Sequence, residues 1–174
     1  MKKLLLTGLA VILITACQES KPERFTTNSP EIDSFKEFVN DYHNGDWDAW
    51  LGHYADTAKI YHNTRKNALS PQETMDGLKS IISNVSSYAF DESENQIFYE
   101  MVITDDGEKW VHFWGTWVCT FVANNESLEM PVHIAANFSE GKIVREYAFY
   151  NLAEFMDKLN EIEANKNVEV EVEQ

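Results

Sequence analysis

Cysteine is nearly missing from this chain: its 174 residues hold only Cys17 and Cys119, and no C-x-x-C pair exists. The five histidines include no H-E-x-x-H spacing. Neither common route to a metal centre is present, so no metal and no other cofactor is expected. Positive charge is scarce as well. Fourteen Lys and Arg face 29 Asp and Glu, a net charge of −15. Such a field repels phosphate backbones, which argues against nucleic acid as a partner. The longest apolar run is confined to the first residues. No internal repeat and no later membrane-spanning stretch is evident.

What is there begins with Lys2 and Lys3, followed by the apolar segment Leu4 to Ile14, interrupted only by Thr7 and Gly8. A bilayer core of about 30 Å needs roughly 20 apolar residues, so this run is too short to be an anchor helix and fits a processed signal. It ends in Ile14-Thr15-Ala16-Cys17. Small residues before a cysteine resemble the lipobox of bacterial lipoproteins. The resemblance implies that residues 1–16 are a signal peptide and that Cys17 is diacylated. The mature chain would then be held on a lipid bilayer of the cell envelope by its acyl chains. Gln18, where aspartate often signals inner-membrane retention, favours the outer membrane. Without Lys2 and Lys3, 12 basic residues face 29 acidic ones, a net charge of about −17. Cys119 is left as the one thiol, mid-strand among apolar residues, where it reads as a buried and inert side chain.

Residues 17–30 are polar, with Pro22 and Pro30, and read as a lipidated tether. A domain over residues 31–165 follows, then an acidic tail, 166–174. Ile32, Phe35, Phe38, Val39 and Tyr42 recur at helical spacing up to Asn44-Gly45. Asp46 suits the N-cap of a second helix carrying Trp47, Trp50, Leu51 and Tyr54 inward. Ala58 to His62 is a short strand. Ser70-Pro71-Gln72-Glu73 matches a helix start, and the third helix runs to about Asn84. Strands are expected at Ser87–Asp91, Gln96–Thr104, Trp110–Val122, Leu128–Phe138 and Lys142–Tyr150, with Asp105-Asp106-Gly107 as a hairpin turn. A helix over Leu152–Ala164 precedes the tail, whose charge and position favour fraying. Helices first and antiparallel strands later make an α+β domain.

The stretch Gly45-Asp46-Trp47-Asp48-Ala49-Trp50-Leu51-Gly52-His53-Tyr54-Ala55-Asp56-Thr57-Ala58 resembles the G-D-x-x-A-x-x-x-x-Y-A-D-x-A signature of the SnoaL-like, nuclear transport factor 2-like superfamily. Phe138-Ser139-Glu140-Gly141-Lys142-Ile143 is similar to that superfamily's closing hairpin. The resemblance spans roughly Glu31 to Leu159. It implies a cone with an internal pocket, formed by a strongly curved antiparallel sheet over three N-terminal helices, plus a C-terminal helix. Such cones host isomerases, dehydratases, cyclases, hydrolases and non-catalytic binders, so activity must be argued from the site. Compared with the superfamily's steroid isomerases, the general-base position holds His62 and a pocket aromatic holds Tyr150. Their two oxyanion donors fall on Phe38 and Ile134. Without donors there, isomerisation of that kind is not supported.

His62 is the one base candidate, since an imidazole titrates near neutral pH. Glu146 alternates with Ala148 and Tyr150 and should share its interior. Tyr54, Trp114 and Tyr150 are candidate walls for a flat apolar ligand. Strand Trp110–Val122 is hard to orient. Val111, Phe113, Trp117 and Cys119 form one face, Trp110, His112, Trp114 and Thr116 the other, and a bulge at Gly115 would change the register. His133 and Asn137 should lie on the outer sheet surface, which in this fold often makes a dimer interface. Three functions follow. The favoured one binds a small apolar or amphipathic molecule without catalysis. The second is a dimeric interaction scaffold whose cone is filled by its own side chains. The third is a cofactor-independent lyase or isomerase with His62 as base.

Overall fold

The computed structural model describes residues 24–93 and 96–172, and beyond residue 165 only the backbone. The expected signal peptide, Cys17 and the first half of the tether lie outside the described residues. Element order is β1 Phe25–Thr26, α1 Pro30–Asn44, α2 Trp47–Gly52, β2 Tyr54–His62, α3 Pro71–Ile82, β3 Val85–Phe90, β4 Phe98–Ile103, β5 Lys109–Phe121, β6 Ser127–Ser139, β7 Lys142–Tyr150 and α4 Leu152–Val172. No described helix is long and apolar enough to cross a membrane.

Helix starts follow their caps. The Ser29 hydroxyl accepts from the Ile32 amide at 3.2 Å, and the Asp46 carboxylate accepts from the Ala49 amide at 3.1 Å. Ser70 and Glu73 form a reciprocal capping box, which satisfies two amides that the first turn leaves unpaired. Gly45 ends α1 in the left-handed region, at φ 68°, where a side chain would be strained. That break lets α2 fold back so that Trp50 reaches Phe38, with ring centroids 5.2 Å apart. Asp41 on α1 and His53 after α2 then close at 2.7 Å.

Seven strands form one curved sheet in the order β1-β4-β5-β6-β7-β2, with β3 also on β5. The long strand β5 serves two partners along one edge: β4 pairs Lys109 to Trp114 and β3 pairs Trp117 to Phe121. All pairs are antiparallel except β2–β7, which runs parallel. The four long strands are antiparallel as expected, and the one parallel pair lies at an edge, where the crossover through α3 and four strands brings β7 back beside β2.

Three expectations change. Phe25 and Thr26 pair with Val102 and Met101, so the folded part begins before residue 31. That short strand covers the free edge of β4, which would otherwise expose unpaired amides. The last helix continues to Val172 rather than stopping near Ala164. No bulge occurs at Gly115, because β5 and β6 keep one register from Lys109↔Phe138 to Thr120↔Ser127. Gly115 instead makes room for an aromatic ring: a Cβ there would sit 2.5 Å from Phe113 Cζ. Phe113 is itself fully buried, so that contact could not relax cheaply.

The core lies between the concave sheet face and the helices. Val111, Phe113, Trp117, Cys119 and Phe121 of β5 point inward, as one of the two expected faces. Phe35, Phe38, Trp50 and Tyr54 meet them from the helical side, and Phe155 of α4 packs on Phe121 at 5.2 Å.

Candidate functional site

The parallel pairing of β2 with β7 sets His62 opposite Ala148. Residues two apart on a strand share a face, so His62 sits midway between Glu146 and Tyr150, and each engages one ring nitrogen. Nε2 lies 3.3 Å from Glu146 Oε1, and Nδ1 lies 3.0 Å from the Tyr150 hydroxyl. Glu146 is held from behind by the Tyr54 hydroxyl, which donates to Oε2 at 2.7 Å. The carboxylate is 3 % exposed and the imidazole 16 %.

Chemistry follows from the donor count. A carboxylate accepts only, so the hydrogen on His62 lies on Nε2, toward Glu146. Nδ1 then carries a lone pair, to which Tyr150 donates. That lone pair is the acceptor the ring presents, and the Tyr150 hydroxyl covers it. Burial, reinforced by the Glu146 charge, pushes the Tyr150 hydroxyl up to about 12. Burial and the same carboxylate hold Tyr54 well above the ordinary phenol value. Both tyrosines are therefore neutral hydrogen-bond donors across the physiological range.

These groups stand at one end of a cavity of about 80 Å³ whose other walls are almost wholly apolar, among them Trp50, Trp117, Met130 and Ile134. The rim runs past the half-buried Leu78, Ile81 and Leu152. This is well under the 300 Å³ typical of a drug-sized site. Phe38, Trp50 and Tyr54 occupy the depth of the cone with edge-on and stacked rings 4.9 to 5.5 Å apart. A broad flat ligand has no room inside.

Of the candidate residues, Tyr54, His62, Glu146 and Tyr150 come together. Tyr54 serves by holding Glu146 rather than as an open wall. Trp114 does not join them. It points from the convex face, 38 % exposed, and stacks on His133 at 4.7 Å. The unbroken β5 register leaves it no way inward. His133 is on that outer face as expected, with His112 Nδ1 3.2 Å from its Nε2. Asn137 shares the face but is only 5 % exposed, and its side-chain amide donates to the Lys109 carbonyl, so it is a cross-strand brace and not an interface residue. Cys119 is buried, and burial raises its thiol to about 11, which makes it inert at neutral pH. Among the described residues no three His, Cys, Asp or Glu side chains converge as a metal ion would require.

Two cavity residues escaped the sequence reading in any functional sense: Tyr42 and Trp117. Both fit ordinary core periodicity. Only a polar atom without a partner sets Trp117 apart.

Deleting the Tyr54 hydroxyl tests how firmly the carboxylate is held. Tyr54→Phe leaves one buried carboxylate oxygen without its donor, and charge-assisted hydrogen bonds contribute about 1.5–3 kcal/mol. Urea denaturation should show the variant less stable by that amount. An unchanged midpoint would mean that Glu146 does not depend on Tyr54.

No family model matches the chain, and no curated protein matches it in sequence. Solved structures do match. PrhC from Penicillium brasilianum NBRC 6234 aligns with a TM-score of 0.60 at 14% identity, covering 81% of this chain and 93% of that one. A candidate SnoaL-like polyketide cyclase from Shewanella denitrificans OS-217 gives 0.57 at 11% identity, with 77% and 99% covered. An NTF2-like protein of unknown function from Burkholderia pseudomallei K96243 gives 0.57 at 14% identity, with 75% and 97% covered. At these identities the likeness concerns the fold. This chain has the cone-shaped α+β fold that these proteins share.

Proposed function

We propose that the cone takes up a compact, largely apolar small molecule and that His62, backed by Glu146, moves a proton on it. The observation that carries this reading is the buried carboxylate–imidazole pair at the end of an apolar cavity. Burying a carboxylate is costly, and a structural role would be served as well by an apolar pair. Neighbours of the same fold that are named as candidate polyketide cyclases are consistent with a small-molecule site in the cone.

In this reading the Nδ1 lone pair removes a proton from a carbon beside a carbonyl, and Glu146 stabilises the resulting imidazolium. The proton leaves with a β-substituent in an elimination or, given a donor to the carbonyl from a wall other than that of Phe38 and Ile134, returns to another carbon in an isomerisation. The reaction is of the cofactor-independent lyase or isomerase type. Its test is proton NMR of compact ketones and β-hydroxy ketones in D₂O with the purified protein. Catalysed deuterium incorporation or elimination supports the reading. If no compound in that range reacts faster than in buffer, the protein binds without chemistry.

A second reading concerns the convex face. Phe98, Trp114 and Phe149 are exposed there by 52 %, 38 % and 45 %. Three large rings on one sheet face favour a homodimer formed through it. Sedimentation equilibrium should then give a dimer that Trp114→Glu dissociates; an unaltered monomer in both proteins ends this reading.

We further propose that Cys17 is acylated and ties the domain to a membrane of the cell envelope, the outer one in preference to the inner. The basis is Ile14-Thr15-Ala16-Cys17 at the end of the apolar leader. Cells fed an alkyne fatty acid should label the protein, and Cys17→Ser should abolish the label. Persistent labelling of that variant would refute acylation at Cys17.

A further inference from the structure

The cavity has a further polar group. Trp117 lines it from β5, is 3 % exposed, and its indole nitrogen has no hydrogen-bond partner, alone among the fully buried side-chain nitrogens and oxygens of the described residues. The hydroxyl of Tyr42, which also lines the cavity, interacts with that indole without reaching hydrogen-bond geometry. A buried N–H left unpaired is unfavourable, and native proteins rarely keep one without a reason.

We infer that the Trp117 N–H is the ligand-recognition donor of this cavity, and that the ligand is a neutral, compact, apolar molecule with one acceptor oxygen, such as a small ketone, aldehyde or cyclic ether. Trp117 is thus a specificity-determining residue. An indole nitrogen donates and cannot accept, so the group that pairs with it must present a lone pair. The Tyr42 hydroxyl can turn its own hydrogen toward the same oxygen, because burial keeps that phenol protonated far above neutral pH. An anion is disfavoured by Glu146 and by a cavity otherwise walled by carbon. The positions where steroid isomerases carry their donors are Phe38 and Ile134 in this chain, and both line the cavity without a polar atom. Trp117 supplies a donor from a different wall.

This inference rests on the small-molecule reading of the cone and adds what the molecule must carry. The test uses the mature chain, ¹⁵N-labelled, and two probes of similar size, cyclopentanone and methylcyclopentane. There are five tryptophans, and the Trp117 indole signal is assigned by through-bond correlation on the unaltered protein. Cyclopentanone should shift that signal downfield as the hydrogen bond forms, while methylcyclopentane leaves it in place. Trp117→Phe should lower the preference for the ketone over the hydrocarbon by about 2- to 13-fold. If the ketone perturbs Met130 and Ala148 but not the Trp117 indole, and Trp117→Phe keeps the preference, the inference is overturned while the pocket stands. If neither probe perturbs any cavity signal, the small-molecule reading falls and takes the inference with it. The shift on the unaltered protein decides the matter even where Trp117→Phe does not fold.

Discussion

His62→Ala is expected to lower catalysed deuterium exchange into a compact ketone by about 10²- to 10⁴-fold, the usual contribution of a positioned general base. The lone pair on Nδ1 is the proton acceptor in this reading, and alanine removes it outright. Glu146→Gln should also weaken exchange, through the tautomer of His62. A glutamine that still accepts from Tyr54 turns its NH2 toward Nε2, which moves the ring hydrogen to Nδ1, so the effect should approach that of His62→Ala unless the ring flips. Tyr150→Phe separates two roles for the tyrosine. If its hydroxyl merely caps Nδ1, the phenylalanine variant is as fast as the parent or faster, because the lone pair is uncovered. If it carries the proton between ligand and His62, exchange falls with it. Circular dichroism of each variant checks that the sheet persists. An exchange rate that ignores His62→Ala would leave Glu146 and His62 as a structural pair.

Trp50→Ala should cause the largest loss of stability, about 3–5 kcal/mol, as for other large buried aromatics cut to alanine. Trp50 is 2 % exposed and joins α1, α2 and β2 through rings on Phe38, Trp47 and Tyr54, at 5.2, 6.0 and 4.9 Å. For a domain of this size each kcal/mol moves Tm by about 2–4 °C, so the melting point should fall by roughly 6–20 °C. Calorimetry measures it. A drop below about 3 °C would show that the helical layer collapses into the gap and that Trp50 does not brace the cone. If the layer stays in place, the missing indole enlarges the cavity at its floor, and the variant should accept bulkier probes than the parent.

Much of this architecture is legible from side-chain pattern. Leu128, Met130, Val132, Ile134, Ala136 and Phe138 alternate without fault, and β6 spans them. Ser70-Pro71-Gln72-Glu73 announces α3 because capping is local chemistry, complete within four residues. His62 and Glu146 could be paired as candidates because Glu146, Ala148 and Tyr150 alternate along one strand. Trp114 went astray for a matching reason. Alternation says which residues share a face of β5 but not which face turns inward, and a supposed bulge at Gly115 blurred even that. Tyr54 was legible as interior, yet its service to Glu146 joins residues 92 positions apart, and no local pattern reports such a contact.

The amino-acid sequence by itself determined most of the elements, their caps and turns, the inward face of most strands and the acidic charge. Each of these depends on neighbours a few residues away or on composition. Tertiary structure alone decided the parallel register that sets His62 between Glu146 and Tyr150, and how far aromatic rings fill the hollow. It also decided that the Trp117 N–H, fully buried, goes without a hydrogen-bond partner among the described residues. Those outcomes depend on how distant surfaces meet at ångström resolution, where one residue of register exchanges the two faces of a strand.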